Sequence, residues 1–143
     1  MGAGSDNMTK PDKISEFLEA KRGTVIKRWL DAVLATYSEL GAGFMRRQKD
    51  QFANPVGSTF KAGLERLYDE FAAGLDPERS APHLDAIVRI RALQEFMPSD
   101  ALAFVVQFKE ILRRTAGGDL DPDDWAELDN RTDRMALMAF DIY

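Results

Sequence analysis

Three dipeptides punctuate this chain: Asn54-Pro55, Asp76-Pro77 and Asp121-Pro122. Each joins a side chain that can accept from the free backbone N–H groups of a helix start to a proline. Proline suits the first helical position because no N–H is needed there. Starts this sharp predict a bundle of well-bounded helices. No segment alternates apolar and polar residues with turn residues at hairpin spacing. The fold class is therefore all-α, a single-domain bundle of about six or seven helices.

Apolar periodicity fills in the order. From Asp12 to about Tyr37, Ile14, Leu18, Val25, Trp29, Ala32, Val33 and Thr36 fall on one side of a helical wheel, and Gly23 is expected to divide the stretch into a short and a long helix. Gly41 and Gly43 then predict a turn before a short basic helix carrying Phe44, Met45, Arg46, Arg47 and Lys49. The helix opened by Pro55 places Val56, Phe60, Gly63, Leu64, Leu67 and Phe71 on one stripe and ends near Gly74. From Ala101 to Phe108 only Gln107 is polar, which assigns the segment 99–115 to the middle of the bundle. The last helix presents Trp125, Leu128, Thr132, Met135, Ala136, Ala139 and Tyr143 on one face and meets no stop signal. Either the natural chain is longer or the final turn leans on another surface. Residues 1–11 are expected to be disordered or tag-like, with Met8 as an alternative start, and residues 12–143 to form the domain.

Composition excludes several function classes. The chain carries 24 acidic against 19 basic residues, a formal charge of −5, which disfavours a general nucleic-acid binder. It has no cysteine, hence no disulfide framework, thiolate nucleophile or sulfur-ligated metal. No apolar run approaches the ~20 residues of a membrane helix, and the first residues lack the charged head and apolar stretch of a secretory signal. A cytoplasmic, soluble protein is the expectation.

Chemistry is most concentrated between Ala81 and about Phe96. On a wheel, Leu84, Ile87, Val88, Ile90 and Leu93 define a buried side, and His83, Arg91 and Gln94 fall in the same sector with Ile87 between them. Arg89 points away beside Asp85. A guanidinium on a core face must be paired. Two readings follow: Arg91 bonds helix-end carbonyls or a carboxylate and fixes packing, or the ridge His83, Ile87, Arg91 and Gln94 lines a pocket for a small acidic or amphipathic ligand.

Other constellations are weaker. His83 is the only histidine and, without cysteine, cannot build a multi-ligand zinc site. As a single haem ligand it defines the one cofactor alternative, against the expectation of no cofactor and no metal. Ser80, His83 and Asp85 lie too close in sequence for a triad and lack a nucleophile turn or oxyanion hole, so no catalytic residue is assigned. Asp119, Asp121 and Asp123 imitate a calcium loop, but Asp124 replaces the glycine and Asn130 the closing glutamate. Arg46, Arg47 and Lys49 form a basic cluster suited to an acidic partner, and Tyr143 is a second partner-binding candidate. Phe44, Phe52, Phe104, Phe108 and Met138 read as core rather than as a cofactor box.

Four phrases in order carry a family likeness: KRWLDAVLATY around Trp29, RRQKDQFANPVG at Arg46 to Gly57, IVRIRALQEFMPSDALAFVVQFKE at Ile87 to Glu110, and MALMAFDIY at the end. From about Lys13 onward the chain resembles the N-terminal domain family of RsbRD-type RsbT co-antagonist proteins. The resemblance implies an all-helical bacterial signal-input domain, found at the front of stress-signalling proteins or standing alone. It also implies a homodimer, a signalling-protein partner and a globin-like fold without haem, by analogy with better understood relatives. It suggests no catalytic residue. Members at the front of larger proteins continue into a linker and an output domain, whereas this sequence stops at Tyr143. Met97 stands where a capping threonine often precedes Pro-Ser, which weakens that helix start.

Overall fold

A computed structural model describes residues 12–51, 55–93 and 97–143, and gives only the backbone course at 37–51, 55–56 and 93. Among the described residues there are six helices and no strand: α1 (Lys13–Ala20), α2 (Arg22–Gln51), α3 (Pro55–Ala72), α4 (Pro77–Leu93), α5 (Pro98–Ala116) and α6 (Pro122–Ile142). The all-α bundle expected from the proline-marked starts is therefore what the chain forms.

Caps explain the boundaries. The Asp76 carboxylate accepts from the Arg79 backbone N–H at 3.0 Å and opens α4. Asp121 accepts from Asp124 at 2.9 Å while the Asp124 side chain accepts from the Asp121 N–H at 3.3 Å, a reciprocal box that opens α6. The aspartates that imitate a calcium loop thus include a helix cap. By contrast Met97 makes no side-chain cap bond at the start of α5, as its chemistry requires. Asn54 lies outside the described residues.

Bonding to the Asp124 N–H, with lesser help from Lys13, holds the Asp121 carboxyl below the usual carboxylate range. A depressed folded value means that the stabilisation is complete above the unfolded value of about 3.9 and disappears as pH falls through the folded one. Asparagine caps nearly as well without titrating. The stability–pH profiles of wild type and Asp121→Asn are therefore expected to run together above about pH 4 and to separate below it, the wild type losing in acid a contribution that the variant keeps, as followed by urea unfolding at each pH.

Two expected breaks fall elsewhere. Gly23 lies within α2, and the break is at Lys21, whose N–H still bonds to the Phe17 carbonyl while its own carbonyl accepts from Val25. Gly41 and Gly43 do not make a turn, because α2 runs through both to Gln51 and includes the segment expected as a separate basic helix. An interior glycine costs only about 1 kcal/mol relative to alanine. Leu40, Ala42, Met45 and Arg46 around them favour a helix. Likewise α4 begins at Pro77 rather than Ala81, so Pro82 sits inside it, exposed and past the first turn, where the helix forgoes the bond that an N–H here would give to the Glu78 carbonyl.

Helix α5 occupies the centre. Phe104 and Phe108 are fully buried, and the Phe108 ring stacks on Trp29 of α2 at 4.1 Å and meets the Phe71 edge of α3 at 4.8 Å. Trp29 donates from its indole N–H to the Phe104 carbonyl at 2.9 Å, so the only polar atom of this ring is satisfied in the core. Tyr68 donates its hydroxyl to the Leu18 carbonyl and ties α1 to α3, and burial pushes its phenol well above the usual range. The central helix is not buried all round, however: Val106 is 60% exposed.

Helices α3 and α4 form an antiparallel hairpin. At its corner Gly74 (φ 115°) and Leu75 (φ 63°) both take left-handed backbone. Only glycine does so freely, and Leu75 is held there by a side chain wholly buried in the core. The Leu75 N–H closes on the Glu70 carbonyl at 2.7 Å. From α6, Arg131 donates to the Phe71 carbonyl at 2.8 Å and Arg134 to that of Gly74 at 3.3 Å, placing cations where the dipole of α3 favours them.

Candidate functional site

The ridge of α4 that carries His83, Ile87 and Arg91 passes through three environments rather than lining one pocket. Arg91 is completely buried at the end far from the corner. Its Nε donates to the Ala101 carbonyl at 2.7 Å, one Nη to the Asp100 carbonyl at 2.7 Å and the other to the Thr36 hydroxyl at 3.4 Å, with the Phe104 ring 6.0 Å away. Arg91 therefore clamps α4 to the first turn of α5 and to α2. Ile87 is buried against Gly63, where an added Cβ would come within 3.2 Å of its Cγ1. Gln94 lies outside the described residues.

His83 is half-buried in an open cleft of about 380 Å³ between α3 and α4. The Gly63–Ile87 contact sets the register of this antiparallel pair. Three residues along α3 from Gly63 is Arg66, and three back along α4 from Ile87 is Leu84, the neighbour of His83, so Arg66 and His83 line the same end of the cleft. Ser58 and Thr59 line the other end, and Ala62 and Ala86 leave the floor shallow and apolar. Arg66 did not stand out in the sequence, because its role depends on which helix lies beside it. The spacing Ser58, Ala62, Arg66 beside Gly63 is the trace it leaves.

A second feature lies on α5 and α6. Lys109 pairs with Asp133 at 3.1 Å and Arg113 with Asp129 at 3.1 Å, which runs the two helices antiparallel in constant register. Val106 is one turn before Lys109 and Leu137 one turn after Asp133, so both continue the same edge. Phe140 follows Leu137. Leu137 is 67% and Phe140 65% exposed, and together with Val106 they make an apolar edge facing solvent. Tyr143, at the end of α6, lines a separate recess with Val88, Ala92 and Ile142. The side chains of Arg46, Arg47 and Lys49 lie outside those described.

The remaining candidates have structural assignments. Ser80 is fully buried and Asp85 binds Arg89 at 2.7 Å, so neither is placed to serve His83 as a catalytic partner. Phe104 and Phe108 are core and Met138 packs partly against it, while the side chains of Phe44 and Phe52 are not among those described. Among the described residues no cluster of histidine and carboxylates could hold a metal, and no helix is long and apolar enough to cross a membrane.

The family model described as RsbT co-antagonist protein rsbRD N-terminal domain matches residues 23–143. No curated protein and no solved structure matches the chain.

Proposed function

Because the chain belongs to the RsbT co-antagonist protein rsbRD N-terminal domain family, we propose that it is a non-catalytic, cytoplasmic signal-input domain. It acts in bacterial stress or environmental signalling as a homodimer that responds to a ligand or a protein partner. The observation that carries this reading is the exposed apolar edge of Val106, Leu137 and Phe140. A two-fold dimer buries the same patch on both copies, and a linear edge on two antiparallel helices suits self-pairing into a four-helix contact. The side chains assigned to input lie on α4: His83 in the cleft, and Arg91, which fastens that helix to the start of α5 next to the dimer edge. A signal shifts this domain only by binding two arrangements of α4 and α5 unequally.

Sedimentation velocity and native mass spectrometry test the assembly. The expected result is a dimer at micromolar concentration, with retained mass where a ligand copurifies. A monomer throughout the accessible range overturns the homodimer. An absorbance spectrum of the same sample tests the haem alternative. His83 opens onto a cleft with Arg66 and two hydroxyls, while the bundle interior is filled by the Trp29–Phe108 stack, a poor fit to a porphyrin that needs a deep apolar slot. A colourless sample with no Soret band is expected. Under the third reading, a structural interaction module, neutralising Arg46 and Arg47 abolishes partner capture without changing the dimer.

A further inference from the structure

The carboxylates around the α3–α4 cleft are taken up by arginines that face elsewhere. Glu70, one turn beyond Arg66, is held by Arg79 at 3.2 Å; Asp69 is held by Arg22 at 2.8 Å; Asp85 is held by Arg89 at 2.7 Å. Among the described residues Arg66 and His83 make no hydrogen bond or ion pair. A protein of net charge −5 thus leaves one guanidinium and its only imidazole lining one cleft, on facing helices, with no carboxylate in the lining.

We propose that this cleft binds a small phosphate monoester, with Arg66 and His83 gripping the phosphoryl oxygens. Arginine presents a planar fork of donors that matches two such oxygens, and imidazole adds an N–H from the opposite helix. Ser58, toward the far end, supplies a hydroxyl for the organic part. Ala62, Gly63 and Ala86 form a flat floor on which a sugar-sized group lies without displacing a side chain. The volume of about 380 Å³ exceeds what a bare phosphate fills, which favours an ester over the free ion. The assignment names the ligand chemistry of the input domain proposed above and rests on that reading only for its consequence in signalling.

A single histidine gives one set of imidazole resonances, so proton NMR of the whole chain reports the site directly. Ribose 5-phosphate, inorganic phosphate and chloride are titrated at constant ionic strength and pH. The expected result is a saturable shift of the His83 C2 proton, tightest with ribose 5-phosphate and absent with chloride. Arg66→Gln weakens it by about tenfold or more through loss of the charge-assisted bonds. Ala86→Glu, an exposed change on a helix, abolishes it by setting a like charge on the floor. A linear, unsaturable shift, or equal binding by both variants, overturns the proposal. Equal affinity for inorganic phosphate and ribose 5-phosphate overturns the ester assignment. Sedimentation of the same samples separates the two readings: a persistent dimer without phosphate binding removes this site and leaves the homodimer standing.

Discussion

Trp29→Ala is expected to lower the unfolding free energy by roughly 3–5 kcal/mol, the range for deleting a large ring from a packed core. The ring is wholly buried, stacks on Phe108 at 4.1 Å and on Phe104 at 6.3 Å, and hydrogen-bonds the α5 backbone through its indole N–H. Its removal opens a cavity where α2, α3 and α5 meet. Since a domain of this size is stable by only about 5–15 kcal/mol, the variant sits near the limit of folding. Trp29→Phe keeps much of the stack and loses the N–H, so it is expected to cost about 1–3 kcal/mol. Urea unfolding followed by circular dichroism measures both. Equal stabilities of wild type and Trp29→Ala would show that the aromatic cluster does not organise the core.

The pair Leu137→Glu and Phe140→Glu, made together, is expected to convert the proposed dimer to a monomer with the fold intact. Both side chains are about two thirds exposed, so replacing them removes little core packing. Burying a leucine or phenylalanine from water contributes about 1.5–3 kcal/mol each, and two-fold symmetry counts each twice in the dimer. Four carboxylates brought to one apolar seam add repulsion and desolvation. A weakening of at least about a hundredfold follows from about 3 kcal/mol, well within that sum. Sedimentation equilibrium gives the dissociation constant and circular dichroism confirms the helices. An unchanged dimer would move the contact to another face.

The all-α class and the starts of α3, α4 and α6 could be read from three X-Pro dipeptides because a helix start is a local device, decided by two adjacent residues and the backbone they serve. The core faces were equally legible: Leu84, Ile87 and Val88 are buried as the wheel requires. What failed was also local. Gly41 and Gly43 read as a turn, yet a glycine weakens a helix by less than good neighbours strengthen it, so α2 continues. Pro82 read as a start that Asp76 and Pro77 already supply. The site was only half legible for a different reason. Periodicity places His83 and Arg91 on one ridge but cannot say that α5 covers one while the cleft leaves the other open. Arg66 had no local signature, and only the packing of α3 on α4 at Gly63 and Ile87 brings it to the cleft that His83 lines. The exposed edge shows the same limit: an apolar helix reads as central, and α5 is central, yet Val106 faces out beside Leu137 and Phe140.

The corner at Gly74 and Leu75, pinned by two arginines of α6, makes the α3–α4 pair a pair of tongs with one closed end. At 1.5 Å per residue, His83 stands about 10 Å from the pivot at Asp76 and Arg91 about 22 Å from it. Leverage follows from those two lengths. A wedge that parted the jaws at His83 would, with a rigid arm, be roughly doubled at Arg91, whose bonds to the Asp100 and Ala101 carbonyls tie it to the first turn of α5. A small guest near the fulcrum would thereby have its longest stroke at the end of the arm nearest the surface where a second copy would rest.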